Sequence, residues 1–179
     1  MDYEKEGSLH QMFVRQAEKT PDVTAVVADD GRTLSFEELH RMTDVLAMYL
    51  RQKGCTIDSV VGIYMERSLE YPVAYIAALK AGGAYMPIEL SYPEPLLLSI
   101  MEDAKPVAVI TTLELKDRLP ACVEVITLDD GWEQRLSEEN EKFPPLPPMN
   151  VELDNLAYVV YSSGTTGRPK GKSLNENSF

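Results

Sequence analysis

The alternation of apolar runs and helical patterns between residues 60 and 128 is the feature that most restricts the fold of this chain. Short apolar runs occur at residues 60–64, 84–87, 107–111 and 123–128. Helical patterns cover residues 69–81 and 93–104, between the first three of these runs. Helices that connect strands in this way place the strands parallel in one sheet. The sequence therefore predicts an α/β fold with a mostly parallel sheet and crossover helices.

The segment before residue 60 contains two helix start signals and one hairpin signal. A capping box has a serine or threonine just before the helix and a glutamate or glutamine three residues later. This spacing occurs twice, at Ser8 with Gln11 and at Ser35 with Glu38. Residues 25–28 and 32–34 flank an Asp-Asp-Gly turn, which predicts a short β-hairpin. The second helix is predicted to continue to Gly54, where glycine favours a stop.

Composition limits the class of partner. The chain has 179 residues, of which 44% are hydrophobic, so one domain with a real core is expected. Its formal net charge of −12 argues against binding to nucleic acid or to an anionic membrane. No run approaches the ~18 apolar residues that cross a bilayer. Cys55 and Cys122 lie far apart in the sequence, so we expect a reduced, cytoplasmic protein.

A polar and proline-rich stretch precedes the last apolar run. Residues 133–142 are strongly polar, and residues 143–150 contain four prolines, which lack a backbone N–H donor. We interpret residues 143–150 as an extended surface connector, preceded by the polar segment. The apolar run at 156–161 carries no charge, which predicts a strand buried inside the sheet that leads into the following glycine-rich segment.

Residues 162–171 have the composition of a phosphate-binding loop. Glycines let backbone N–H groups face an anion, hydroxyls add donors, and Arg168 and Lys170 add positive charge. A Walker P-loop is disfavoured because Gly164 and Gly167 are only three positions apart. A Rossmann loop is disfavoured because Pro169 would interrupt the helix that should begin there.

Three segments, in order, resemble the core motifs of the adenylate-forming superfamily. Residues 156–171 resemble its third core motif, residues 34–39 its first and residues 79–89 its second. The segment at residues 79–89 is more similar to the amino-acid adenylation domains of nonribosomal peptide synthetases than to acyl-CoA synthetases or luciferases. The resemblance extends from about residue 8 to residue 171. It identifies Gly82 and Gly83 as a helix-to-strand turn with an architectural role.

The resemblance implies the reaction and the ligands. A carboxylate attacks the α-phosphate of ATP in the presence of Mg²⁺, which gives an acyl-adenylate and pyrophosphate, and the acyl group then passes to the phosphopantetheine thiol of a carrier domain. The glycine loop would wrap the β- and γ-phosphates while a lysine offsets their charge. The implied ATP-binding residues are Ser162, Ser163, Gly164, Thr165, Thr166, Gly167 and Lys170.

The resemblance stops after Gly171, because residues 172–179 do not follow the family pattern. The family's adenine, ribose, Mg²⁺ and substrate residues would come later, so we expect residues 1–179 to form an incomplete N-terminal adenylation domain with no complete catalytic set and no metal site. Two functions are open: a ligase fragment that holds ATP phosphates without catalysing alone, or a non-catalytic module that complements another polypeptide or competes for a partner. The strand at 156–161 would then have fewer partners, expose apolar surface and promote poor solubility or self-association.

Overall fold

The computed structural model describes residues 7–144, 146–147, 149–162 and 170–178. Within these residues the chain forms five α-helices and eight strands. In chain order the elements are α1 Leu9–Lys19, β1 Thr24–Val27, β2 Thr33–Ser35, α2 Phe36–Gln52, β3 Val60–Tyr64, α3 Glu70–Lys80, β4 Ala84–Pro87, α4 Glu94–Ala104, β5 Ala108–Thr111, β6 Val125–Thr127, α5 Trp132–Asn140, β7 Leu156–Ser162 and β8 Lys170–Asn175. Short 3₁₀ helices cover Lys116–Arg118 and Glu176–Ser178.

Six of the strands form one sheet in the order β6-β5-β3-β4-β7-β8. All neighbouring pairs are parallel except β7 with β8, which is antiparallel. In the centre of the sheet Val61 lies opposite Tyr85 on β4 and opposite Ala108 on β5. Strands β1 and β2 form a separate antiparallel hairpin. The predicted α/β fold with a mostly parallel sheet is confirmed.

Helices cover both faces of the sheet because its central strands are apolar on both sides. One core cluster joins Ile63 to residues of α2, α3 and α5, and a second joins Tyr64 to residues of α4. Ile63 is 1% exposed and its neighbour Tyr64 is 0% exposed, although the two side chains point to opposite faces. Helices α3 and α4 therefore lie on opposite sides of the sheet.

Both predicted helix starts are confirmed. The backbone N–H of Glu38 donates to Ser35 Oγ at 3.2 Å, and the N–H of Ser35 donates to Glu38 Oε2 at 2.8 Å. At α1 the N–H of Ser8 donates to Gln11 Oε1 at 3.0 Å. Each capping box satisfies donors that the first helical turn leaves without partners.

The turn between α3 and β4 requires its two glycines. Gly82 has a φ of +83°, a left-handed conformation that other residues rarely adopt. A Cβ on Gly83 would lie 2.8 Å from the carbonyl oxygen of Ser59 and 2.9 Å from Cys55 Sγ. The backbone thus packs directly against the segment that leads into β3, which agrees with the architectural interpretation of this motif.

The polar segment after residue 132 is a helix that the sequence analysis missed. Helix α5 covers Trp132–Asn140, and its buried face consists of Trp132, Leu136 and Asn140. These residues recur every fourth position, and Asn140 Nδ2 donates to the carbonyl of Val45 on α2 at 3.0 Å. The helical pattern was missed because only this narrow stripe of residues is buried, while the rest of the helix surface is polar and charged.

The strand predicted at 156–161 is β7, and both of its edges are paired. Strand β7 pairs with β4 on one edge and with β8 on the other. Beyond β8, the N–H of Glu176 donates to the carbonyl of Asn155 at 3.0 Å, and the N–H of Asn177 donates to that of Leu153 at 2.9 Å. Ala157 and Val159 are buried. Residues 170–178 therefore cover this edge of β7.

Among the residues that the structure describes, no helix combines the length and the apolar character needed to cross a bilayer.

The buried face of α5 can be tested by substitution. We expect Leu136→Ala to lower the free energy of unfolding by roughly 2–5 kcal/mol, because Leu136 is fully buried and its loss leaves a cavity. Gln134→Ala, on the exposed face of the same helix, should change it by less than about 0.5 kcal/mol. Urea unfolding followed by circular dichroism measures both values. Equal, small effects of the two substitutions would contradict a packed α5.

Candidate phosphate-binding site

Strands β7 and β8 hold the two ends of the predicted phosphate loop side by side. In their antiparallel register Ser162 lies opposite Lys170, and Tyr161 lies opposite Gly171. Directly opposite residues in such a pair have Cα atoms about 4.5–5.5 Å apart. The sheet therefore brings together the backbones of two predicted site residues, Ser162 and Lys170.

The other predicted site residues lie outside the described residues. They are Ser163, Gly164, Thr165, Thr166 and Gly167, and the side chains of Ser162 and Lys170 are outside the described part as well. Their role in phosphate binding stays a prediction from the sequence.

Tyr161, at the root of the loop, is held from three directions. Its hydroxyl donates to Asp103 Oδ2 on α4 at 2.5 Å, and its carbonyl accepts from the hydroxyl of Tyr92 at 3.3 Å. Its ring lies against Gly171 on β8, where a Cβ would come within 3.0 Å of Tyr161 Cζ. Burial, and then the hydrogen bond to Asp103, raise the pKa of the Tyr161 phenol. Tyr161 therefore stays a neutral donor at physiological pH.

Sequence reasoning missed Tyr92 and Asp103 as parts of the site. Asp103 is 58 residues from Tyr161 in the chain, and α4 shows no local motif that points to it. The only available signal was indirect: α4 follows β4, which pairs with β7.

A groove of about 1150 Å³ opens at the carboxyl ends of β3 and β4. Its walls come from the loops that follow these two strands and from the start of α3, including Arg67, Tyr71 and Glu89. Since α3 and α4 lie on opposite faces, the chain leaves β3 and β4 in opposite directions, and ligands of open α/β sheets bind at such switch points. Strand β7 is parallel to β4, so its Ser162 end lies at the same edge.

The described residues do not fit a magnesium site. Among them, no group of three or more histidine, cysteine, aspartate or glutamate side chains is placed to hold a metal ion. Mg²⁺ prefers carboxylate and phosphate oxygens. No chemical step is therefore assigned to a metal on these residues.

Lys80, in the second motif, belongs to a structural cluster. Its side chain is 6% exposed, and Nζ donates to Asp44 Oδ1 at 2.7 Å and to the carbonyl of His40 at 3.1 Å. It also lies 5.3 Å from the centre of the Phe13 ring. Burial lowers the pKa of Lys80, and Asp44 opposes that shift. The cluster joins α1, α2 and α3, so the role of Lys80 is to hold these three helices together.

Comparison with known folds places the chain in the adenylate-forming class of α/β enzymes. The nonribosomal peptide synthetase FmoA3 matches 98% of this chain and 19% of its own, with 30% identity and a TM-score of 0.77. The structure of VinN matches 98% of this chain and 45% of its own with a TM-score of 0.84, and its 23% identity shows the fold alone.

The sequence matches the family described as AMP-binding enzyme over residues 13–178. Tyrocidine synthase 2 of Brevibacillus parabrevis is 43% identical over 169 residues, which are 94% of this chain and 4% of that protein. Tyrocidine synthase 1 of the same organism is 40% identical over 96% of this chain and 15% of its own length. The chain belongs to the AMP-binding enzyme family and spans a small part of these relatives. The predicted resemblance is confirmed.

The environment of His10 predicts a pH dependence of stability. Burial, and then the positive charge of Lys80, lower the pKa of His10 from 6.5 to about 4. Below about pH 6.5 the unfolded chain binds a proton on His10, whereas the folded chain does not bind it until about pH 4. The free energy of unfolding is therefore unaffected by His10 above pH 6.5 and falls as the pH drops from 6.5 to about 4. We expect His10→Asn to flatten the fall in the free energy of unfolding over this range.

Urea unfolding at a series of pH values measures that slope, and an NMR titration of the two histidines measures the pKa directly. A His10 pKa near its ordinary value of about 6.5 would contradict this account.

Proposed function

We propose that this chain is the part of an amino-acid-activating, aminoacyl-adenylate-forming ligase that grips the phosphates of ATP, and that the 179-residue polypeptide does not catalyse the reaction alone. The observation that carries the proposal is the family match over residues 13–178 together with the placement of the glycine-rich segment between β7 and β8. The backbone pairing of Ser162 with Lys170 supports the proposal because it holds both ends of this segment at the carboxyl edge of the sheet, where its donors and the Lys170 charge would meet phosphate.

An amino acid is the proposed carboxylate substrate. The segment at 79–89 resembles peptide synthetases, and the relatives include tyrocidine and gramicidin S synthases. FmoA3 was solved in an α-methyl-L-serine-AMP bound form. A carboxylate oxygen would form a bond to the α-phosphorus of ATP while the bond from that phosphorus to the bridging oxygen breaks, and pyrophosphate would leave. Residues 162–167 would donate hydrogen bonds to the oxygens of the β- and γ-phosphates, and Lys170 would offset the negative charge of these phosphates.

A carrier domain is the proposed next partner of the parent protein. NpsA-ThdA from Klebsiella oxytoca is described as an artificially fused adenylation and PCP di-domain. By the same logic the activated amino acid would pass to the phosphopantetheine thiol of a carrier, in the cytoplasm.

The extent of the structural matches supports the lack of independent catalysis. The matched segment is 41% of the NpsA N-terminal subdomain and 45% of VinN, so most of either structure has no counterpart in these 179 residues. Phosphate contacts without an adenine pocket supply little affinity, so ATP binding by the chain should be weak.

A row of half-buried tyrosines favours the second function, a complementing module. Tyr71 and Tyr75 on α3, Tyr85 on β4 and Tyr158 on β7 follow one another with ring centres 6.4, 5.5 and 5.5 Å apart. Aromatic residues are enriched where proteins meet, because they bury large area at small entropic cost. On this account the tyrosine row would pack against a polypeptide that carries the rest of the adenylation domain.

Phosphate binding can be tested by titrating ATP into the chain and following the ³¹P NMR signals. We expect a dissociation constant on the order of 1 mM, and about a tenfold loss of affinity in Lys170→Ala, because a hydrogen bond from a charged group is removed. Lys19→Ala is the matched control, since it removes the same charge from an exposed position at the end of α1. Equal losses in both variants, or no binding by the wild type, would contradict the assigned loop.

Catalysis can be tested by amino-acid-dependent exchange of pyrophosphate into ATP. We expect no exchange by the chain alone. Exchange that appears after adding the portion of tyrocidine synthase 2 that follows its matched segment would support the complementing module, and Tyr75→Ala should weaken that effect. Robust exchange by the chain alone would refute the proposal that essential parts lie elsewhere.

A further inference from the structure

We propose that Tyr161, tied to Asp103 and Tyr92 and packed on Gly171, is a positioning residue that fixes the root of the phosphate loop for triphosphate binding. These four residues are called the Tyr161 clamp. The inference rests on the proposed function, because it assigns the clamp a role in the same phosphate site.

The clamp connects three separate elements at one point. Tyr161 belongs to β7, Asp103 to α4 and Gly171 to β8, and Tyr92 lies between β4 and α4. The ring of Tyr161 packs on the residue directly opposite in the β7–β8 register, so it contacts the entering and the leaving strand of the loop at once. The Asp103 carboxylate then fixes the far end of that ring.

The hydrogen bond from the Tyr161 hydroxyl to the Asp103 carboxylate is a short one. Its 2.5 Å length from a phenol oxygen to a carboxylate oxygen is typical of a charge-assisted bond. Burial raises the pKa of Tyr161, so the phenol keeps its proton and the bond persists across the neutral range. A fixed ring holds Ser162, the next residue, in one place along the edge of the sheet.

Fixing the root of a loop lowers the entropic cost of binding to it. A loop whose ends can shift must be ordered when phosphate binds, whereas a loop with fixed ends has already lost part of that freedom. The Tyr92 hydroxyl adds a second restraint on the same residue, because it donates to the Tyr161 carbonyl. The clamp therefore acts on affinity through preorganisation, without touching the ligand.

The sign of one substitution separates this role from simple electrostatics. Asp103→Ala removes a negative charge that contacts the root of the proposed loop, which by Coulomb's law alone strengthens anion binding. The clamp predicts the opposite, a weaker affinity. Glu102→Ala is the matched control, since it removes the same charge from the neighbouring exposed position of α4 and leaves the clamp intact.

The experiment titrates inorganic tripolyphosphate into the full chain and its variants by ³¹P NMR, at a temperature where thermal melts show every sample folded. We expect Tyr161→Phe and Asp103→Ala each to weaken binding about 3- to 10-fold, from the loss of one charged hydrogen bond. The double variant should be no weaker than the worse single variant, because both act through one bond. Asp103→Asn keeps an acceptor and should restore most of the affinity, and Glu102→Ala should bind as the wild type or slightly tighter.

The outcomes distinguish the inference from the proposed function. No binding of tripolyphosphate by the wild type would overturn the proposed function and the clamp's role with it. Binding by the wild type with equal or tighter binding by Asp103→Ala and Tyr161→Phe would overturn the clamp alone. A lower melting temperature with unchanged affinity would show that these residues only fasten α4 to the sheet, which also overturns the inference. Tyr161→Phe keeps the ring packing, so it provides this answer even if Asp103→Ala fails to fold.

Discussion

The pairing of β7 between β4 and β8 is the constraint on which the remaining features depend. One edge of β7 meets β4, with Tyr158 opposite Tyr85, and the other meets β8 over most of its length. At its start the N–H of Leu156 donates to Asp58 Oδ1 at 2.7 Å, which ties β7 to the segment before β3. Because β7 is fixed along both edges, the backbone position of Ser162 at its end is fixed as well.

The same pairing joins the first helix to the last described residues. The 3₁₀ turn after β8 places the buried Glu176 at the beginning of α1, where Oε2 accepts from the N–H of Leu9 at 2.8 Å. Free N–H groups at a helix start favour a negative charge. Burial nevertheless raises the pKa of Glu176, and the Leu9 hydrogen bond only partly opposes this. The residues after Gly171, which do not follow the family motif, are thus integrated into the fold.

The success of sequence reasoning followed the strength of local signals. Strand β3 and the two capping boxes were predicted because their patterns are complete within a few residues. Helix α5 was missed because its buried stripe is narrow, and β8 was missed because a polar edge strand has no apolar pattern and is set by its hairpin with β7. For the site, the motif indicated the loop itself, while Asp103 and Tyr92 depend on contacts that only the topology creates.

The charge distribution implies that the proposed phosphate loop would have to supply its own attraction for phosphate. The chain carries a formal net charge of −12, and several cations of the described body are already engaged. Lys53 pairs with Glu124, Lys80 with Asp44 and Lys142 with Glu139, while Arg118 and Arg135 donate to backbone carbonyls. A cation held by a carboxylate offers little net field to an anion beyond about 10 Å at ordinary ionic strength. Backbone N–H groups can bind an anion without a counter-charge of their own. On the proposed function, the geometry around Tyr161 and the charge of Lys170 would both contribute to triphosphate binding.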